Sequence, residues 1–223
     1  MIKTKMLPIV GCFAAMLTAP ALANMDIKPY VGFGLGYSGA SFYDGPGEAV
    51  AALTGTNVKT EDLVNGDGLA IYLNAGVKFN QYFGVEAFYQ HAFESEADME
   101  FYGLGGTLED KAESDFSYNS FGFDAVGYLP INNSPFSLIG SIGVGQYKFK
   151  VKEKETNYVL GVSGTTTDTE SDTGFRFGVG GEYDFGNQWA ARLMIRYVSL
   201  DSDEDKDLVD DIIDISLGMK YTF

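Results

Sequence analysis

Three features of the chain predict an all-β fold, an eight-stranded antiparallel up-and-down barrel that crosses a membrane with its apolar face turned to lipid. Apolar residues recur at every second position in eight stretches, which is the period of a strand and not of a helix. The connections between these stretches alternate strictly between long and short. The charge is segregated: the formal net charge is −16, and the four long connections hold 23 acidic and 4 basic residues, against 8 and 9 in the rest of the chain after residue 23.

The first strand is expected over Lys28–Phe42, with Val31, Phe33, Leu35 and Tyr37 on one face and Gly32, Gly34 and Gly36 on the other. The second, Gly68–Phe79, sets Leu69, Ile71, Leu73 and Val77 against Tyr72, Asn74, Gly76 and Lys78. Asn80-Gln81 is a short turn into the third, Tyr82–Phe93, where Phe83, Val85, Ala87 and Tyr89 oppose Gly84, Glu86 and Gln90. The fourth, Phe116–Leu129, sets Phe121, Phe123 and Ala125 against Ser120, Gly122 and Asp124, and Pro130 to Pro135 has the composition of a turn. In the fifth, Phe136–Lys152, the phase breaks: Leu138, Ile142 and Val144 share one parity, while Tyr147, Phe149 and Val151 share the other. A bulge near Gly145 would reconcile them. The sixth, Thr173–Phe185, and seventh, Trp189–Leu200, alternate cleanly around Gly186-Asn187-Gln188. The eighth, Asp211–Phe223, carries Ile213, Ile215, Leu217, Met219, Tyr221 and Phe223 on one face. The long links are Tyr43–Asp67, Ser95–Asp115, Glu153–Asp172 and Asp201–Asp210, with a hint of helix only around Glu48–Leu53.

A soluble barrel would show the same alternation with its apolar face inward. Two observations oppose that. The polar strand face is rich in Gly, Ser and Ala and carries few charges, as suits a narrow interior and not a solvated exterior. Aromatic residues also gather at both strand ends: Phe79, Tyr82, Phe83, Phe136, Phe185, Trp189, Tyr221 and Phe223 near the short turns, and Tyr37, Phe42, Tyr89, Phe93, Tyr147, Phe175 and Tyr197 nearer the long links. Rings favour the water–lipid boundary, so a membrane barrel has two such girdles. The acidic balance offers nothing to a nucleic acid.

The N-terminus reads as an export signal. Lys3 and Lys5 precede an apolar run, Met6 to Thr18, and Ala21-Leu22-Ala23 forms a small-residue cleavage site. Residues 1–23 are therefore expected to be removed, leaving a barrel domain over 24–223. The competing reading is a lipobox at Ile9-Val10-Gly11-Cys12, which would leave an odd apolar tail from Phe13 to Ala23. After cleavage at Ala23 the chain would carry no cysteine, since Cys12 is the only one.

The terminal strand, running through Leu217, Met219 and Tyr221 to a final Phe223, resembles the C-terminal strand of bacterial outer-membrane β-barrels. With its signal, eight strands and four long links, the chain is similar to the small eight-stranded members of that group, the OmpA-like transmembrane domain and the opacity-protein or porin-like barrels. The resemblance implies placement in the bacterial outer membrane, contact with its lipid and lipopolysaccharide, and recognition of Leu217, Met219, Tyr221 and Phe223 by the barrel-assembly machinery. It also implies a host or surface ligand at the long loops. OmpA itself continues into a peptidoglycan-binding domain; this chain stops at Phe223, so no wall-binding role is expected.

Charged residues on the polar strand face are Lys78, Glu86, Asp124, Arg176, Glu182, Asp184, Arg192, Arg196, Asp214 and Lys220, with equal numbers of each sign. A barrel this narrow is filled by side chains, and an unpaired buried charge is costly. Balanced signs therefore point to ion pairs plugging the lumen, or to a gate on a narrow ion path. A three-residue turn, Gly186-Asn187-Gln188, keeps the faces of the sixth and seventh strands matched and sets Glu182 opposite Arg192. Arg176 and Arg196 then fall on a diagonal, with Asp214 the nearest acid to separate them.

The single His91 lies on the apolar parity. Lipid A deacylases of this barrel size use a lipid-facing His and Ser; here the sequence is His91-Ala92-Phe93, without the His-x-Ser spacing. Asp201–Asp207 is spaced like the start of a calcium loop, but Lys206 stands where that loop needs Gly and Ile212 where it needs Glu. A loose divalent-cation site bridging to lipopolysaccharide phosphates and a plain solvated loop are the two readings. No Walker loop, zinc spacing or nucleophile triad occurs, so no catalytic residue, metal or cofactor is assigned.

Overall fold

The computed structural model describes residues 27–42, 67–102, 108–157, 162–201 and 209–223. Its strands are β1 (Lys28–Phe42), β2 (Gly68–Lys78), β3 (Phe83–Tyr102), β4 (Leu108–Pro130), β5 (Phe136–Asn157), β6 (Val162–Asp184), β7 (Trp189–Leu200) and β8 (Val209–Thr222). Each pairs antiparallel with its chain neighbours, and β1 pairs with β8 to close the barrel. The expected helix at Glu48–Leu53, the signal segment and most of Asp201–Asp207 lie outside the described residues.

The wall is apolar on the outside. Leu35 is 67% exposed and Val179 64%, whereas Arg176, on the opposite face of β6, is 1% exposed. An apolar exterior around a charged interior is stable only in lipid. The three tight turns lie at one end. Asn80 Oδ1 accepts from the amides of Tyr82 (2.8 Å) and Phe83 (2.9 Å), so Tyr82 sits in the turn and not in the strand. The five residues after Pro130 bring Ile131 and Phe136 together, with Asn133 at φ 58°. Between β6 and β7 the Phe185 amide donates to the Trp189 carbonyl at 3.0 Å, and Gly186 and Gln188 take positive φ.

Two expectations are corrected. The first is the bulge near Gly145. The register of β5 runs unbroken against both β4 and β6, and Tyr147, Phe149 and Val151 point into the barrel. Tyr147 therefore belongs to the core and not to the outer aromatic girdle. The register shifts among the described residues lie between Ala92 and Ser95 in β3, opposite Phe101/Tyr102 in β4 and opposite Ser41/Phe42 in β8. The physical reason for the parity switch is a change of solvent. Below it the outward face of β5 is Leu138, Ile142 and Val144; above it the outward face is Lys148, Lys150, Lys152 and Lys154. Once a strand leaves lipid, its outside becomes polar and its inside apolar, as in a water-soluble sheet.

The second correction concerns two of the long links. Ser95–Asp115 and Glu153–Asp172 are largely strand: β3 pairs with β4 out to Tyr102–Leu108, and β5 with β6 out to Asn157–Val162. β2 pairs with β3 only as far as Ala92, and β7 with β6 only as far as Gly174. A four-stranded sheet of β3, β4, β5 and β6 thus continues beyond the closed barrel. On β6 the sequence of this extension, Ser163–Asp172, is polar at both parities and lacks the apolar alternation that marks a membrane strand, while on β3 Ala97, Met99 and Phe101 do alternate with Glu96, Asp98 and Glu100.

Candidate functional site

The interior is built in layers. Nearest the tight turns, Arg192 on β7 donates from Nε to Glu182 Oε2 at 3.1 Å, from Nη1 to Glu86 Oε2 at 2.7 Å and from Nη2 to the Tyr128 hydroxyl at 3.1 Å. Lys220 on β8 pairs with the other oxygen of Glu182. Glu86 also accepts from Tyr30 Oη at 3.0 Å and Asn74 Nδ2 at 2.9 Å. The cluster holds two acids and two bases, all buried, so its charges cancel locally as burial requires. It draws on β1, β2, β3, β4, β6, β7 and β8, and the Arg192–Glu86 bond joins strands on opposite sides of the barrel. Gly76 makes room for it: a Cβ there would lie 2.5 Å from the Tyr30 ring and 2.7 Å from the Val85 carbonyl.

In the middle layer the Arg176 guanidinium lies over the Phe88 ring at 3.8 Å, with its Nε 3.7 Å from Asp124 Oδ2. Arg196 donates from Nη1 to Ser216 Oγ at 2.6 Å and lies 5.5 Å from the Tyr72 ring. Asp214 stands opposite Arg196 in the β7–β8 register. Its Oδ1 nevertheless turns to Gln90 Nε2 at 2.9 Å and the Tyr118 hydroxyl at 3.2 Å.

The layer farthest from the turns is apolar. Phe116, Tyr118, Tyr147, Phe149, Val151, Val198, Leu200, Val209 and Ile212 form one buried cluster. Phe116 stacks on Phe149 at 6.1 Å, and Tyr118 lies 5.7 Å from Phe149. The Tyr118 hydroxyl reaches Ser38 across the barrel.

The charged residues expected inside therefore separate into groups. Glu86, Glu182, Arg192 and Lys220 come together, and Asp124 meets Arg176. Lys78 is half-buried, with its ammonium 3.9 Å from the Tyr128 ring and no carboxylate within 4 Å among the described residues. Asp184 is a correction: it is exposed at the barrel mouth and accepts from the Gly186 amide at 2.7 Å, capping the turn. Sequence reasoning missed Tyr30, Tyr128, Asn74 and Gln90 as partners. Their signal was available, since all four share the parity of the charged residues on their strands. On the outer wall, His91 Nδ1 lies 2.7 Å from Asn119 Oδ1, which also accepts from Tyr89 at 2.9 Å. The terminal side chains Leu217, Met219, Tyr221 and Phe223 line the outward face of β8, with Phe223 66% exposed. No group of metal-ligating side chains occurs among the described residues.

Solved structures similar to this chain are outer-membrane barrels. Ail, the attachment invasion locus protein of Yersinia pestis, solved with the heparin analogue sucrose octasulfate, has a TM-score of 0.51 at 20% identity, covering 89% of this chain and 100% of that one. Neisserial surface protein A has a TM-score of 0.53 at 14% identity, covering 87% and 97%. OprG of Pseudomonas aeruginosa has a TM-score of 0.52 at 14% identity, covering 91% and 98%. These likenesses are likenesses of fold. No curated protein matches the sequence itself. The sequence matches the family described as outer membrane protein beta-barrel domain over residues 9–223, and the chain belongs to that family, an outer-membrane β-barrel protein.

Proposed function

We propose that this protein is a closed barrel that acts through its surface, holding the β3–β6 sheet outside the cell, and neither conducts solutes nor catalyses a reaction. One observation carries the reading: the bore is obstructed twice, by the Arg192–Glu86–Glu182–Lys220 cluster and by the rings around Phe149. Single-channel recording of the refolded protein in a planar bilayer tests it. The expected result is no unitary conductance; a steady open pore overturns it in favour of a porin-like channel. A role in lipid A chemistry is disfavoured because His91 is engaged by an amide, Asn119, and no nucleophile is bonded to it among the described residues.

The projecting sheet supports a surface role. Beyond Ala92 on β3 and before Gly174 on β6, each outer strand has one ladder partner among the described residues. An unpaired strand edge is a template for an extended peptide. The Ail complex with a heparin analogue is a precedent for ligand binding on this fold. With 23 acidic and 4 basic residues in the long connections, the partner favoured here is cationic. The same long connections are proposed to face outside, which protease added to whole cells checks by cutting within Tyr43–Asp67 or Ser95–Asp115.

Cleavage after Ala23 and assembly-machinery recognition of Leu217, Met219, Tyr221 and Phe223 belong to this proposal. The exposure of Phe223 supports the second, because its ring adds little packing. Protein extracted from membranes should have the mass of a chain starting at Asn24. Deleting Phe223 should abolish assembly in cells while leaving refolding in detergent intact.

A further inference from the structure

We propose that the outer wall of β4 and β5, just above the lipid-facing band, holds the phosphate groups of an outer-leaflet glycolipid, lipid A, with Lys148 and Lys150 as the cationic pair and Asn119 as a neutral donor. The placement of charge on one strand motivates this. Lys148, Lys150, Lys152 and Lys154 follow one another on the outward face of β5, spaced by roughly 6.6 Å along the strand. The two far from the membrane are neutralised, Lys152 by Asp115 at 3.2 Å and Lys154 by Glu113 at 2.7 Å. The two nearest the membrane are not. Lys148 sits between Asn119 and Ser171, and Lys150 between Ser117 and Thr169. Neither makes an ion pair or hydrogen bond within the described residues.

Height selects a lipid. On the same face of the same strand, the last apolar residue is Val144, next to exposed Phe123 and Phe175 on either side. Four residues further, about 13 Å along a tilted strand, comes Lys148. Its ammonium therefore lies where headgroups lie, one strand away from a prepared amide. Asn119 Oδ1 is occupied by His91 and Tyr89, which leaves its NH₂ to donate outward. On the outward face of β5 the lysines left uncompensated are the two at headgroup level, which in a chain of net charge −16 matches an anionic headgroup.

The inference rests on the long connections facing outside, which the whole-cell protease experiment tests separately; lipid binding by refolded protein does not depend on orientation. Native mass spectrometry of detergent-refolded protein is the measurement, with bisphosphorylated lipid A, its dephosphorylated form, phosphatidylglycerol and inorganic phosphate as probes. Each lysine near an anionic surface contributes roughly a fivefold factor. Wild type should retain bisphosphorylated lipid A at least tenfold better than the dephosphorylated lipid. K148Q/K150Q should lose that preference, while K152Q/K154Q, on the same strand, should change it less than twofold. All three proteins must show the same heat-dependent gel shift, so that a folding defect is seen as such. Equal retention of the two lipid A forms, an unchanged K148Q/K150Q, or an equal effect of K152Q/K154Q overturns the site. Equal retention of phosphatidylglycerol overturns the glycolipid assignment, and saturable binding of inorganic phosphate alone overturns the lipid.

Discussion

Replacing Arg192 by Ala is expected to destabilise the refolded barrel by about 3–5 kcal/mol, the usual cost of stranding a buried charge. The two carboxylates it serves do not suffer equally. Glu182 keeps Lys220, whereas Glu86 is left with two neutral donors, Tyr30 and Asn74. Adding Glu86→Gln should therefore recover more of the loss than adding Glu182→Gln. Urea unfolding in lipid or detergent, run as double-mutant cycles, measures both couplings. Strict additivity of R192A and E86Q would show that the bond across the barrel does not form.

Phe149→Ala is expected to cost about 3–5 kcal/mol, as other large-to-small changes in packed cores do. Phe149 touches Phe116, Tyr118 and Tyr147 and is 1% exposed. The next residue, Lys150, is outside and exposed, and Lys150→Ala should change stability by less than about 0.5 kcal/mol. This contrast between neighbours tests the register directly. A bulge at Gly145 would exchange the two results, because a shift of one residue turns every side chain to the other face.

The sequence reveals best what repeats locally. Where lipid lies on one side, alternation is enforced, and the strands from Val31 to Tyr37 or from Leu193 to Tyr197 can be read off directly. The β6–β7 register was legible as well, because turn length and face matching leave one solution for Glu182 and Arg192. Glu86 and Arg192 could not be paired that way. They lie on strands that meet only through closure of the barrel, and closure leaves no local mark. Asp214 shows the converse limit: register places it beside Arg196, yet its side chain bonds Gln90 and Tyr118. The rings around Phe149 were visible in the sequence but placed on the wrong side. Their parity was taken for a defect in one continuous environment, when the environment itself changes along β5. The projecting hairpins escaped for a related reason, since β6 from Ser163 to Asp172 carries no apolar period to read.

The Arg192–Glu86 bond has a mechanical consequence. A barrel wall one strand thick is a thin tube, stiff around its hydrogen-bonded hoop and compliant toward ovalisation. A tie fixed at two points half a circumference apart opposes that flattening, as a strut does in a pipe. The stacked rings of Phe116 and Phe149, toward the end away from the tight turns, fill the section and act as a bulkhead. Braced at two heights, the tube keeps its round section when lateral pressure in the bilayer changes. A sheet mounted on one side of its rim is then cantilevered from a rigid socket, and its angle to the membrane stays fixed.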